Sequence, residues 1–151
     1  MARLTRYLAL DWGERRIGLA ISDPTGTIAS PAGFILRRAG KRPPIAEVIR
    51  RANALGVCGF VAGLPLDESG GETERSNEVR AVGVALEART GLPVILVDER
   101  YTTAIALRTV RELGGKTKDR AGDVDSLAAT VLLQHALRLA EQPNDEVCGE
   151  S

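Results

Sequence analysis

The sequence has no excess of either charge, very few aromatic residues and only two cysteines. Twenty Lys and Arg are balanced by twenty Asp and Glu, so attraction to a nucleic acid would have to come from a local cluster of basic residues. Aromatic residues make up 3% of the chain, which argues against base stacking as the main way of binding a single strand. Cys58 and Cys148 lack the paired spacing of a zinc site. These scarcities argue against a zinc module and leave a nucleic-acid partner open.

Long apolar runs are also missing. The longest one, residues 54–66, is shorter than the roughly 20 residues needed to span a bilayer, and the N-terminus lacks the apolar core of a signal peptide. We therefore expect no membrane partner and a cytoplasmic location. The 151 residues, 44% of them hydrophobic, suit one soluble domain. We predict that this domain covers residues 1–141 and that residues 142–151, which have no apolar pattern, form a disordered tail.

The residues from Tyr7 to Asp23 predict two strands folded back on each other around a charged turn. One apolar run ends at Asp11, the turn covers Gly13 to Arg16, and a second apolar run begins at Ile17. Asp11 therefore lies where a buried strand reaches the surface, a position in which a carboxylate can bind Mg²⁺ or Mn²⁺. A plain hairpin, in which the Asp and the Gly serve only the turn, is the alternative.

After the hairpin, one more strand and then alternating helices and strands are predicted. The order is β-β-β-α-β-α-β-α-α, with a short helix ending at Leu113, a basic loop over residues 114–122 and a last helix over residues 123–141. The apolar stripe predicted for the last helix includes Leu127 and Leu139. Short turns make the first three strands antiparallel, whereas strands that alternate with helices are parallel. We predict an α/β fold, a mixed five-stranded sheet with helices on both faces.

Three acidic residues are predicted to meet at one edge of this sheet. Asp11 ends the first strand, Glu99 ends the last strand, and Asp125 lies in the first turn of the predicted last helix. Open α/β sheets bind their ligands at the carboxyl ends of the strands, and three clustered carboxylates repel each other unless cations neutralise them. The pattern therefore favours a site for one or two divalent ions. Each acid taken alone could instead cap a helix or serve a turn.

Four motifs in this chain closely resemble the YqgF (RuvX) family of bacterial proteins. They occur in the family order over about the first 140 residues, and they are DWGERRIGLAISD (11–23), VAGLPLDESG (61–70), DERYTT (98–103) and DVDSLAATVLLQ (123–134). The resemblance implies an RNase H-like fold of the RuvC type. It also implies a nuclease that uses Mg²⁺ or Mn²⁺, with two ions bound, and that acts either in 5′-end maturation of pre-16S rRNA or in Holliday junction resolution.

By this resemblance Asp11, Glu99 and Asp125 are the catalytic and metal-binding residues. Neighbouring residues of a strand point to opposite faces, so only one of Asp98 and Glu99 should face the metal ions, and Asp98 is the second choice. RuvC itself carries an acid at the end of the fourth strand. This chain has Gly63 there, so it departs from the RuvC pattern at that position.

Basic residues near these motifs are predicted to contact nucleic-acid phosphates, with a solvated surface charge as the alternative for each. They are Arg15, Arg16, Arg100, Lys116 and Lys118. The expected partner is nucleic acid, either precursor rRNA or a four-way DNA junction, and a homodimer is left open. Two other functions compete with the nuclease. One is a phosphate-binding ATPase of the actin and sugar-kinase type, which normally needs two such domains, and the other is a non-catalytic RNA-binding or ribosome-assembly module.

Overall fold

The structure is a computed structural model that describes part of the chain. It covers the backbone of residues 5–38, 42–101 and 118–140 and the side chains of residues 5–38, 42–100 and 126–140. The predicted helix ending at Leu113 and the predicted tail from residue 142 onward lie outside these ranges. Within the ranges described, no helix has both the length and the apolar character needed to cross a bilayer.

Five strands form one mixed sheet in the order β3-β2-β1-β4-β5. The strands are β1 (Tyr7–Trp12), β2 (Arg16–Ser22), β3 (Ala29–Leu36), β4 (Gly59–Leu64) and β5 (Val94–Asp98). The pairs β1–β2 and β2–β3 are antiparallel because short turns join them, whereas β1–β4 and β4–β5 are parallel. The predicted mixed five-stranded sheet is confirmed.

The helices described are α1 (Ile45–Leu55), α2 (Glu74–Thr90) and α3 (Lys118–Ala140), and a short 3₁₀ helix follows β5 (Glu99–Tyr101). Thr73 caps the start of α2 by accepting a hydrogen bond from the backbone N–H of Ser76. Gly56 and Gly91 end α1 and α2 with φ angles of 64° and 74°, which glycine adopts without strain. These ends agree with the glycine stop signals in the sequence.

Strand alternation sorts the buried side chains into two cores, one on each face of the sheet. The face covered by α3 includes Tyr7, Ala9, Val61 and Val97. The opposite face is covered by α1 and α2. It contains the strand residues that alternate with those of the first face, among them Leu8, Leu10, Phe60, Ala62 and Leu64. The helices therefore lie on both faces, as predicted, and every odd-numbered residue of β1 faces α3.

Helix α3 begins five residues before the predicted start at Asp123. The prediction assigned residues 118–122 to a basic loop, but the helix begins at Lys118 and continues through Gly122 because a single glycine weakens a helix without ending it. Ser126 contacts β3 near Gly33, and Gln134 contacts β3 near its start at Ala29. Helix α3 therefore runs antiparallel to β3 and β1, with its N-terminal end at the carboxyl edge of the parallel strands.

The buried stripe of α3 also differs from the predicted one. Leu127 and Leu139, predicted to be buried, are 44% and 49% exposed. The residues that pack on the sheet are rich in alanine and are Ala128, Ala129, Leu132, Leu133, Ala136, Leu137 and Ala140. Small side chains let a helix approach a sheet closely. Packing therefore buries this alanine-rich stripe instead of the predicted one, which includes Leu127 and Leu139.

Candidate active site

Asp11 lies at the carboxyl end of β1 and has no exposed surface. It pairs with Gly18 of β2. On the other side Leu10 pairs with Ala62, so the neighbour of Asp11 along β4 is Gly63. Strand alternation places Asp11 on the face covered by α3. Its carboxylate therefore lies on a sheet surface where both neighbouring strands carry glycine.

Glu99 follows β5 in the 3₁₀ helix and is also fully buried. Its carboxylate lies over Gly63, because a Cβ atom on Gly63 would be 2.5 Å from Glu99 Oε1 and 2.8 Å from Leu132 Cδ1 of α3. The Glu99 carboxylate thus occupies the space that a side chain at the end of β4 would fill. Adjacent strands are about 4.8 Å apart, so Glu99 lies over the strand next to Asp11.

Asp98 belongs to the opposite face of the sheet, since it pairs with Leu64 of that core. Arg100 donates hydrogen bonds to both Asp98 carboxylate oxygens, the shortest from Nη2 at 2.7 Å. These hydrogen bonds hold the pKa of Asp98 below its usual range. Arg100 Nη1 also donates to Glu68 O at 3.2 Å. The guanidinium therefore ties the end of β5 to the loop after β4, and the carboxylate over the α3 face belongs to Glu99.

The backbone of α3 brings position 125 to the same edge of the sheet. The next residue, Ser126, is buried and donates from Oγ to Leu19 O at 2.7 Å, while two backbone N–H groups of β3 donate to Oγ at 3.1 Å. Leu19 directly follows the β2 partner of Asp11, so position 125 lies at about the level of Asp11 along the sheet. It also shares the helical stripe of buried Ala129, one turn later. Asp125 lies well inside α3, which removes helix capping as its structural explanation.

The donor set of this edge fits a divalent cation. Asp11 and Glu99 supply hard carboxylate oxygens of the kind that Mg²⁺ and Mn²⁺ bind, and the lack of a side chain at Gly63 makes room for the Glu99 carboxylate. Among the side chains that the structure describes, no three His, Cys, Asp or Glu groups are close enough together to hold a metal ion. The side chain of Asp125, the third predicted ligand, is not one of them.

The predicted phosphate contacts differ in their surroundings. Arg15, at the tip of the β1–β2 turn, is exposed. Arg16 lies over the ring of Phe34, with 5.8 Å between Cζ and the ring centroid. Arg100 is held in the ion pair described above, 26% exposed. The two predicted lysine contacts are Lys116, outside the described residues, and Lys118, the first residue of α3.

An ion pair that sequence reasoning missed fixes the β1–β2 turn to α2. Glu78 accepts hydrogen bonds from Trp12 Nε1 at 3.0 Å and from Arg37 Nη2 at 2.8 Å. Arg37 also donates to Gly13 O at 2.7 Å and lies 5.1 Å from the centroid of the Trp12 ring. In the sequence, the only signal for this pair is that Arg37 and Glu78 carry opposite charges, and the two residues are far apart in the chain. It holds in place the turn that follows Asp11.

Replacing Glu78 with glutamine is expected to lower the melting temperature at pH 7 by roughly 2–4 °C, the effect of losing about 1 kcal/mol. Burial alone raises the pKa of Glu78, but the hydrogen bonds and charge of Arg37 outweigh it and the net pKa is lowered. A lowered pKa in the folded protein gives stability above the unfolded value and loses it as the pH falls. The difference should therefore shrink below about pH 4. Thermal melts over pH 3–8 test this, with exposed Glu87→Gln on the same helix as the control.

Comparison with known proteins identifies the family. A family model described as RuvX, Holliday junction resolvase, matches residues 5–139. A protein of Anaplasma marginale named "Putative pre-16S rRNA nuclease" is 41% identical over 136 residues, which are 90% of this chain and 86% of that protein. A protein of the same name from Rickettsia typhi is 36% identical over 91% of this chain and 87% of that protein.

A solved structure of Thermus thermophilus RuvC in complex with a Holliday junction substrate has the same fold. Its TM-score is 0.52 over 89% of this chain and 94% of that chain. The sequence identity is 13%, so this match shows the fold alone, and it confirms the predicted RNase H-like fold of the RuvC type. With the family model covering residues 5–139 and relatives at 36–41% identity, the chain belongs to the RuvX family.

Proposed function

We propose that this protein is a metal-dependent endonuclease that hydrolyses phosphodiester bonds in structured nucleic acid. The observation that carries the proposal is the pair of fully buried carboxylates, Asp11 and Glu99, on one face of the sheet at its carboxyl edge. Two neighbouring carboxylates repel each other, and a bound cation relieves that repulsion. Membership of the RuvX family and the names of the relatives support a nuclease over a non-catalytic module.

Asp11, Glu99 and Asp125 would hold the metal ions, two in this proposal. When bound, such ions favour a hydroxide nucleophile and stabilise charge on the attacking and leaving oxygens. The protein supplies rigid positioning for the acids. The sheet fixes Asp11, and the pairing of Arg100 with Asp98 fixes the backbone on both sides of Glu99.

Side-by-side cleavage assays test the proposal and separate its two substrates. A precursor of 16S rRNA and a synthetic four-way DNA junction are incubated with the protein in Mg²⁺ or Mn²⁺, and Asp11→Asn is the matched inactive variant. We expect cleavage of at least one substrate, and a loss of at least a hundredfold in the variant. Tight binding of the rRNA precursor, without cleavage of either substrate, would support the non-catalytic RNA-binding module instead.

Millimolar Mg²⁺ or Mn²⁺ is expected to raise the melting temperature. An ion that binds only the folded state stabilises it by mass action, by about 2.7 kcal/mol at a hundred times its Kd, which corresponds to roughly 5–10 °C for a domain of this size. Thermal melts with metal and with a chelator measure the shift. Asp11→Asn should reduce it, and a melting temperature that metal leaves unchanged would contradict a shared metal site.

A further inference from the structure

The carboxyl edge of the sheet carries opposite charges on its two sides. On the β4–β5 side, the loop after β4 has exposed Asp67 and Glu68. On the β2–β3 side, three exposed arginines lie in the turn after β1 and in the segment between β3 and α1. We call these residues, Arg15, Arg38 and Arg42, the arginine cluster. Asp11, on the central strand β1, lies between the two sides, and Glu99 lies over the neighbouring strand β4. A polyanion that reaches these acids is therefore attracted toward β3 and repelled from the loop after β4.

The arginine cluster is held at this edge by the backbone. The N–H of Arg37 donates to Arg15 O at 2.7 Å, so the segment after β3 is bonded to the turn after β1. Arg42 precedes α1, which runs antiparallel to β4 and so begins at the carboxyl edge. The cluster therefore lies on the same edge as Asp11.

The three guanidinium groups are available to a ligand. None of them makes an ion pair or a side-chain hydrogen bond with another of the residues that the structure describes. The neighbouring cations are engaged, since Arg37 pairs with Glu78 at 2.8 Å and Arg75 lies 3.7 Å from Glu14. Glu14, the acidic residue next to Arg15 in the sequence, is therefore close to the charge of Arg75.

The aromatic side chains described offer no open platform for unpaired bases. Tyr7, Trp12 and Phe60 are at most 1% exposed. Phe34 is half-buried and its ring is covered by the Arg16 guanidinium. Recognition of single strands relies on stacking onto such rings, so the rings that the structure describes do not favour the binding of unpaired bases.

We infer that the arginine cluster binds the phosphate backbone of a double-helical arm that runs from the acidic site toward β3. The inference rests on the proposed nuclease function and adds to it the substrate class and the direction in which the substrate lies. Phosphate contacts set the position of a duplex without reading its bases. An RNA stem and an arm of a DNA junction share this chemistry, so binding is independent of sequence.

The test measures binding in an Asp11→Asn background, in which the substrate stays intact. Fluorescence anisotropy gives the affinity for a 20-base-pair RNA duplex, the same length of DNA duplex and each single strand at several salt concentrations. Arg38→Ala/Arg42→Ala is compared with Arg89→Ala/Arg138→Ala, a control that removes two exposed arginines from the opposite edge of the sheet. Arg38→Lys/Arg42→Lys retains the charge.

We expect duplex binding at 0.1 M salt to weaken by about tenfold for each arginine–phosphate pair removed, and the salt slope to become shallower by about 0.9 per pair. The control variant should bind like the parent, and the lysine variant should recover most of the affinity. Equal weakening in the control variant, an unchanged affinity, or tighter binding of single strands than of duplex would each overturn the inference. Cleavage by the otherwise unaltered protein is measured separately, so failure of the nuclease proposal is recognised on its own.

Discussion

Replacing Gly63 with alanine is expected to lower cleavage roughly a hundredfold while the protein still folds. The new Cβ atom would be 2.5 Å from Glu99 Oε1, whereas ordinary contact begins at 3.4 Å. The carboxylate is the end of a flexible side chain, so it moves away by about 1 Å rather than unfolding the sheet. A displacement of that size in a positioned group costs about a hundredfold in rate. Cleavage rate and metal affinity, measured on the purified variant, test this expectation.

Gly59 offers a matched control for Gly63 on the same strand and the same face. An alanine there would place Cβ 2.5 Å from the ring of Tyr7, at the far end of β4 from the acids. Overpacking of this kind costs about 1–3 kcal/mol, so Gly59→Ala should be at least as unstable as Gly63→Ala. Its cleavage rate per folded molecule should remain near that of the parent. Equal loss of activity in both variants would show that general destabilisation, not displacement of Glu99, causes the effect.

The position of Asp11 followed from the sequence because local patterns determine it. An apolar run, a charged turn with glycine and a second apolar run specify a hairpin, and the residue that ends the first run lies at the sheet edge. The same reasoning assigned Asp98 and Glu99 to opposite faces, since strand alternation depends on the backbone alone. The parallel addition of β4 and β5 followed from the helices between the strands.

Features that depend on packing between distant parts of the chain could not be predicted in this way. Nothing near Gly63 in the sequence indicates that the Glu99 carboxylate lies over it, because the contact joins residues 36 positions apart. The start of α3 was misplaced because a single glycine weakens a helix without ending it. With α3 beginning at Lys118, a competing explanation for Asp125 disappears, since only residues at a helix end serve as caps.

The partners of the basic residues likewise depend on contacts that the local sequence does not indicate. Sequence reasoning grouped Arg100 with Arg15 as phosphate contacts because both lie next to predicted acids. In the fold, Arg100 is committed to Asp98 and to the loop after β4, whereas Arg15 is exposed. Arg38 was not among the predicted phosphate contacts, and the fold brings it beside Arg15. Whether a surface charge has a partner depends on tertiary structure, so the sequence alone could not sort these arginines.

Changing Asp125 to asparagine is expected to abolish cleavage while leaving the fold and nucleic-acid binding largely intact. Asparagine is nearly isosteric with aspartate and has a similar helix propensity, so α3 should form as before. The negative charge is lost, which weakens ion binding and removes stabilisation of the transition state. Loss of one such group typically costs about 10²–10³ in rate. Cleavage measured in single-turnover conditions, with binding measured in parallel, distinguishes loss of chemistry from loss of affinity.

Asp123→Asn is the matched control, because it makes the same chemical change two residues earlier in α3. Two residues correspond to about 200° around a helix, so position 123 lies away from the stripe that packs on the sheet. This variant should cleave like the parent. Stability without metal provides a second readout: removing one of three mutually repelling carboxylates should make metal-free Asp125→Asn slightly more stable than the parent, and metal should then stabilise it less. A purified Asp125→Asn protein that cuts at nearly the parent rate would refute the assignment of the third acid, because the fold places no other predicted ligand on that helix.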